Sequence, residues 1–222
     1  MEEKSILRWG GLAGILGAII FILVFVIVIV FVGPDSAEPE GEVMSLPDIR
    51  AARTVEDSLY LGVLILWVAH FLALYRALKR ASLAPALFGS VLGIVGLGVL
   101  AAGALPHVAT APISDLYHAP GASPEDQATL VLMWQATEGI FDALFGVGLL
   151  LVSIGFVALG LAMLRATAFG KGFGTVSVVV GIVAAFVFVV DPLSPSAFVG
   201  VLALIVFHLV LGWKLYTLSR AQ

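Results

Sequence analysis

Two histidines and one acidic helix face are the residues best placed to do chemistry. His70 and His208 each stand six residues before a basic residue, Arg76 and Lys214, near the end of a long apolar run. At 1.5 Å per helical residue each lies about 9 Å from its anchor, so the two share a depth on helices running the same way. An imidazole in such a run is costly unless it finds a partner, and ionisable residues inside membrane spans are functional candidates by default. Two neutral imidazoles facing across a bundle could ligate one haem iron axially, with Trp67, Tyr75 and Trp213 nearby, as a haem-b-binding electron-transfer protein would require. Hydrogen bonds to a neighbouring helix, or snorkelling to the interface, explain the same residues without a cofactor.

The second constellation is Gln135, Glu138 and Asp142, at i, i+3 and i+7, which places all three on one helix face. Counted back from Arg165, Asp142 is about 34 Å along the helix and so reaches the opposite interface. His107 falls at a similar level, and Glu56, Asp57 and Asp191 border the same side. These groups could line an outward-opening acidic pocket for a small ligand. Histidine with carboxylates suits a borderline divalent metal, and several carboxylates suit a hard cation or a cationic ligand. A metal-dependent membrane enzyme or transporter at His107, Glu138 and Asp142 is therefore an alternative. A wetted polar rim at helix N-termini is the plainer explanation.

Whatever positions these residues must lie in a bilayer. The chain is 61% hydrophobic and 12% charged, against about a half and a quarter in soluble domains. Six apolar runs, at about 9–33, 57–79, 83–105, 128–165, 172–190 and 196–217, are long enough to cross hydrocarbon as helices. Continuous runs such as Ile19–Val32 lack the alternation of a membrane barrel. The expected fold is all-α: one integral membrane bundle of six transmembrane helices, residues 1–222. The first run is too long for a signal peptide and reads as a retained anchor.

Lys4, Arg8, Arg76, Lys79, Arg80, Arg165, Lys171, Lys214 and Arg220 all fall at alternate gaps, with Arg50 and Arg53 on the other side. This bias places both termini in the cytoplasm and suggests the plasma membrane. Most acids fall on the opposite side. There, residues 34–56 are expected to begin as loop at Pro39-Glu40-Gly41, followed by a short surface helix over 47–54 with Pro47 in its first turn. Residues 106–127 hold four prolines and are expected to be mostly loop, with Pro106 ending the third span. Gly33-Pro34 should end the first span, and Asp191-Pro192 should turn between the fifth and sixth. Ser123-Pro124-Glu125-Asp126 starts a helix. Continued to Arg165 it spans about 40 residues, or roughly 60 Å, so its polar first third should project beyond the membrane.

The helices leading away from the basic side are glycine-rich: Gly10, Gly11, Gly14 and Gly17; Gly89, Gly93 and Gly96; Gly170, Gly172, Gly174 and Gly181. Each returning helix runs into a basic residue. Three duplicated hairpins would produce this pattern, as would the shared need of packed spans for small residues and anchors. Gly10-x3-Gly14 and Gly89-x3-Gly93 could support a homodimer or contact with other membrane subunits, although packing within one chain is the first use of such spacing.

The chain has no cysteine, which removes thiol chemistry and Cys-ligated metals. It has no Walker lysine motif, no G-x-S-x-G and no H-E-x-x-H. No lysine lies mid-span, no central broken helix suggests ion-coupled transport, and the basic residues form anchors rather than a nucleic-acid patch.

Leu72-Ala73-Leu74-Tyr75-Arg76-Ala77-Leu78-Lys79 and Phe141-Asp142-Ala143-Leu144-Phe145-Gly146-Val147-Gly148, continuing to Gly160, carry a family resemblance. Over about Glu56–Val190 the chain resembles the uncharacterised bacterial membrane family known as domain of unknown function 4386. The resemblance implies about six spans and supplies neither an activity nor catalytic residues. The sequence therefore points to a non-enzymatic accessory, sensor or small-ligand-binding membrane protein, with the haem and metal readings as alternatives.

Overall fold

A chain this apolar can satisfy its backbone in lipid only by closing hydrogen bonds within each segment, and among the described residues it forms six α-helices and no strand. The computed structural model describes residues 2–33, 38–190 and 195–221. The helices are α1 (Glu2–Ile27), α2 (Pro39–Leu78), α3 (Leu83–Tyr117), α4 (Pro124–Arg165), α5 (Gly170–Val190) and α6 (Pro195–Ala221). All six are long and apolar enough to cross a membrane. α1 ends in a π-turn, Val28–Val32, closed by Gly33 N–H donating to Val28 O at 2.9 Å. Gly33 has φ 79°, a left-handed conformation that glycine adopts without strain.

The helices form a closed ring in chain order. Each packs on its sequence neighbours, α6 returns to α1, and α2 also reaches α4 and α6 through the middle. Lipid gives apolar side chains no reason to hide, so helix pairing depends on close contact and small residues. A Cβ on Gly89 would lie 2.7 Å from Gly155 O, and one on Gly11 would lie 2.7 Å from Gly212 O. The backbones of α3 and α4, and of α1 and α6, thus touch directly. Large apolar side chains such as Ile19, Ile65, Val147 and Phe186 remain outward and form the lipid-facing belt. Both glycine pairs singled out above serve packing inside the chain: Gly10 and Gly14 face Ala73 and His70, and Gly89 and Gly93 face Gly155 and Phe71.

At one end, where α1 begins and α6 ends, basic residues gather. There Glu3 pairs with Arg80 at 3.5 Å and Arg76 at 4.0 Å, and Arg165 donates to Ser82 Oγ at 3.2 Å. At the other end α2, α3 and α4 continue past the bundle. With 40, 35 and 42 residues they measure roughly 60, 52 and 63 Å, against about 30 Å of hydrocarbon. Their extensions form a three-helix cap with its own apolar centre of Val43, Leu46, Ile113, Tyr117 and Trp134. Polar ties encircle that centre. Arg50 pairs with Asp115, Tyr117 Oη donates to Glu40 at 2.8 Å, and Trp134 Nε1 donates to Glu42 at 3.0 Å.

The cap corrects the expected loops. Residues 39–56 are continuous helix, with Pro39 rather than Pro47 in the first turn, and α3 passes through Pro106 and Pro112 to Tyr117. The start of α4 at Ser123 lies in the cap, past the six-helix bundle, and its capping box is formed. Asp191-Pro192 and Pro34 lie outside the described residues. Composition misleads here because a proline inside a helix orphans the carbonyl four residues back. For Pro47 that carbonyl is Val43 O, and the fully buried Ser114 hydroxyl donates to it at 2.9 Å. A side chain on α3 thus satisfies a helix defect on α2.

This predicts a coupled pair. Ser114→Ala should cost about 1–3 kcal/mol of stability by leaving Val43 O unsatisfied. In a Pro47→Ala background, where an amide is restored, the same change should cost much less. Thermal melts of the four detergent-purified proteins measure the coupling, and additive losses would refute it.

Candidate functional site

Two groups of polar residues stand out, one at the middle of the bundle and one where bundle meets cap. The middle group begins with the glycines of α1. A Cβ on Gly14 would lie 2.5 Å from His70 Nδ1, and one on Gly17 would lie 2.5 Å from Trp67 Nε1. The glycine-rich face of α1 therefore makes the room that these α2 side chains fill. His70 Nδ1 sits 3.0 Å from Gly10 O. A carbonyl only accepts, so Nδ1 carries the proton and Nε2 is left as an acceptor. His208 enters from α6, stacked on Trp67 with ring centroids 3.8 Å apart and 5.3 Å from His70. Phe71 and Phe156 meet His208 edge-on.

The shared depth read from the sequence thus corresponds to direct contact of the two imidazoles, both fully buried. His70 Nε2, both nitrogens of His208, Trp67 Nε1 and Tyr60 Oη make no hydrogen bond within the described residues. Beside them is a void of about 10 Å³ bordered by Tyr60, Trp67 and His208 among apolar side chains. That is at the lower limit for one water molecule. Haem does not fit this arrangement. Axial ligation needs a porphyrin-wide slot between two imidazoles, and here Trp67, Phe71 and Phe156 fill the space around His208.

The second group joins three helices through one ring. His107 on α3 has Nδ1 3.5 Å from Asp57 Oδ1 on α2 and Nε2 3.4 Å from Glu138 Oε2 on α4. Its ring lies over Phe141, centroids 4.0 Å apart. A carboxylate beside each ring nitrogen suits an imidazolium, which alone offers two donors. Arg53 pairs with Glu56 at 3.2 Å on the neighbouring turn of α2. Asp142 is half-buried one turn nearer the bundle centre, while Gln135 is exposed on the cap side. The structure therefore joins His107 to Glu138, sets Asp142 beside them along α4 and leaves Gln135 at the rim.

The sequence placed Asp57 only among the acids bordering the same side as His107, because its direct pairing depends on the register of α2 against α3. Tyr60 and Trp67 had a readable signal. Asp57, Tyr60, Trp67 and His70 are separated by 3, 7 and 3 residues, which keeps them near one helix face. Among the described residues no three His, Asp or Glu groups converge to hold a metal ion. Asp57 and Glu138 occupy opposite nitrogens of His107 and so do not share a coordination point with it.

Residues 58–220 match the model of a family described as Domain of unknown function (DUF4386). No curated protein and no solved structure matches the chain. The matched stretch includes His70, His107, Glu138, Asp142 and His208 and leaves out α1.

Removing the ring that joins the three helices should be costly. His107→Ala leaves Asp57 and Glu138 without a cation between them, for an expected loss of about 1–3 kcal/mol. Asp57→Asn with Glu138→Gln in that background should recover part of the loss. Melting temperatures in detergent decide this, and a His107→Ala protein as stable as wild type would show that the clamp carries no load.

Proposed function

The chain belongs to the family described as Domain of unknown function (DUF4386), and from that premise we propose a non-enzymatic multi-pass membrane protein that senses or binds a small cationic ligand. The reading rests on one observation: a single imidazole, His107, is held between carboxylates of two other helices. A cation that competes for Asp57 and Glu138 displaces the imidazolium and loosens α3 from α2 and α4. Binding is then coupled to helix packing through the ligand's preference for the loosened state. Asp142 and Gln135, on the same face of α4 as Glu138, extend the acidic pocket inward and outward. Below Asp57 the same face of α2 carries Tyr60, Trp67 and His70, so a shift of α2 reaches the buried histidine pair.

The bias of Lys and Arg toward one end supports an orientation with both termini in the cytoplasm of a plasma-membrane protein and the cap outside. A reporter fused after Gln222 should be active on the cytoplasmic side, and activity outside would reverse the orientation.

The ligand reading is tested by melting the purified protein with calcium chloride, zinc chloride or spermidine, against sodium chloride at equal ionic strength. At least one of the three should raise the melting temperature of wild type and fail to do so with Glu138→Gln or Asp142→Asn. Since the cation and the proton on His107 compete for the same carboxylates, apparent affinity should rise with pH. The nearby charges that also shape this profile are Arg53, Glu56 and Asp57 on α2 and Glu138 and Asp142 on α4. No stabilisation beyond sodium chloride by any of the three would sink the proposal.

A further inference from the structure

At the basic end a cleft lies between the first and last helices. Gly11 and Gly212 hold their backbones in contact, and toward the basic end α1 and α6 border this cleft of about 460 Å³. Lys4 and Arg8 line it from α1 and Arg220 lines it from α6. Lys4 and Arg8 are one helical turn apart, so both present their charge to the same side. Of the two acids that open α1, Glu3 faces α2 and pairs with Arg80 and Arg76, and Glu2 is exposed on the side of Ser5 and Trp9 without an ion pair among the described residues. Among the described residues neither Lys4 nor Arg8 has an ion-pair partner. Arg220 is held in place by its own helix, stacked 4.7 Å from the Tyr216 ring and donating to Tyr216 Oη at 2.6 Å. Ser5 adds a hydroxyl at the wall.

The shape and surroundings of the cleft narrow the ligand. Three cations on two helices call for an anion with several oxygens, and a phosphate group is the matching chemistry. The volume is that of a small-molecule site. The cleft wall includes Trp9, which is 68% exposed, and exposed Trp213 lies beside the cleft residue Tyr216, ring centroids 6.1 Å apart. Tryptophan and tyrosine beside basic residues characterise the headgroup level of a membrane, and basic pockets between spans take anionic lipid headgroups.

We propose that this cleft binds the phosphate of an anionic glycerophospholipid, with Lys4, Arg8 and Arg220 as its cationic partners and the acyl chains lying along the flank of α1 and α6. The lipid bridges the first and last helices at the seam where the ring closes. This site is separate from the polar groups around His107 and does not depend on their role.

The test is binding of a fluorescent phosphatidylglycerol to the full chain in phosphatidylcholine nanodiscs or mixed micelles, with fluorescent phosphatidylcholine as reference. Wild type should prefer phosphatidylglycerol clearly, and Lys4→Gln/Arg8→Gln/Arg220→Gln should bind it about a hundredfold more weakly, at roughly fivefold per cation. A charge-matched control, Lys79→Gln/Lys171→Gln/Lys214→Gln, removes three positive charges from the same end but outside the cleft and should keep most of the affinity. Arg220→Gln alone, a milder change at the chain end, should lose about fivefold and serves if the triple variant does not fold. Equal loss in the control would assign the effect to the general surface field and overturn the site. Tight binding of inorganic phosphate that displaces phosphatidylglycerol would make the ligand a soluble anion and overturn the lipid assignment. Equal affinity of wild type for the two lipids would also end the proposal.

Discussion

Close backbone contact at glycine is the constraint on which the rest of this structure depends. In lipid, helices gain little by hiding apolar side chains from their surroundings, so they associate by approaching closely enough for many weak contacts. Gly11 against Gly212, Gly89 against Gly155 and Gly96 against Gly148 each bring one backbone carbonyl to where a side chain would otherwise stand. These contacts close the ring between its first and last helices and fix α3 against α4. On the glycine-rich face of α1, the same device gives His70 and Trp67 their space.

The cap follows a different logic. Outside the hydrocarbon, an apolar centre can drive association again, and Val43, Leu46, Ile113, Tyr117 and Trp134 provide one. The prolines of α2 and α3 are tolerated because tertiary packing outweighs their cost. At Pro47 the compensation is specific, since the Ser114 hydroxyl takes the place of the missing amide. Three spans thus continue unbroken from the membrane into the cap, and a change of packing in one part is mechanically linked to the other. His107 sits at that junction and ties all three helices through Asp57 and Glu138.

Charge along the bundle axis is sorted into levels. Basic residues hold one end, and Lys4, Arg8 and Arg220 there line a cleft between two helices. The middle holds neutral polar rings, where His70 bonds Gly10 O and His208 stacks on Trp67. His107 and the carboxylates of Asp57 and Glu138 occupy the junction with the cap. α2 connects the levels, since Arg76, His70, Trp67, Tyr60, Asp57 and Arg50 all lie along it.

Much of this was written in the residues themselves. Length and apolarity of the six runs determined six helices, because hydrocarbon leaves a continuous apolar segment no other way to satisfy its backbone. Spacing to Arg76 and Lys214 determined that His70 and His208 share a depth, because helical rise is constant. The serine-proline-acid start at Ser123 determined where α4 begins. Only the folded chain decided the rest. That residues 39–46 and 106–117 are also helix, continuous with the helix expected over 47–54, depended on partners far away in sequence, such as Ser114 for Val43. Local composition, rich in proline, pointed to loop. Which carboxylate meets which face of His107 depended on the register of three helices, which glycine contacts set and periodicity leaves open. The imidazoles pack ring against ring with no slot for a macrocycle, and that came from the bulk of Trp67, Phe71 and Phe156 converging from two helices. Spacing along one helix carries no information about how much space remains between helices.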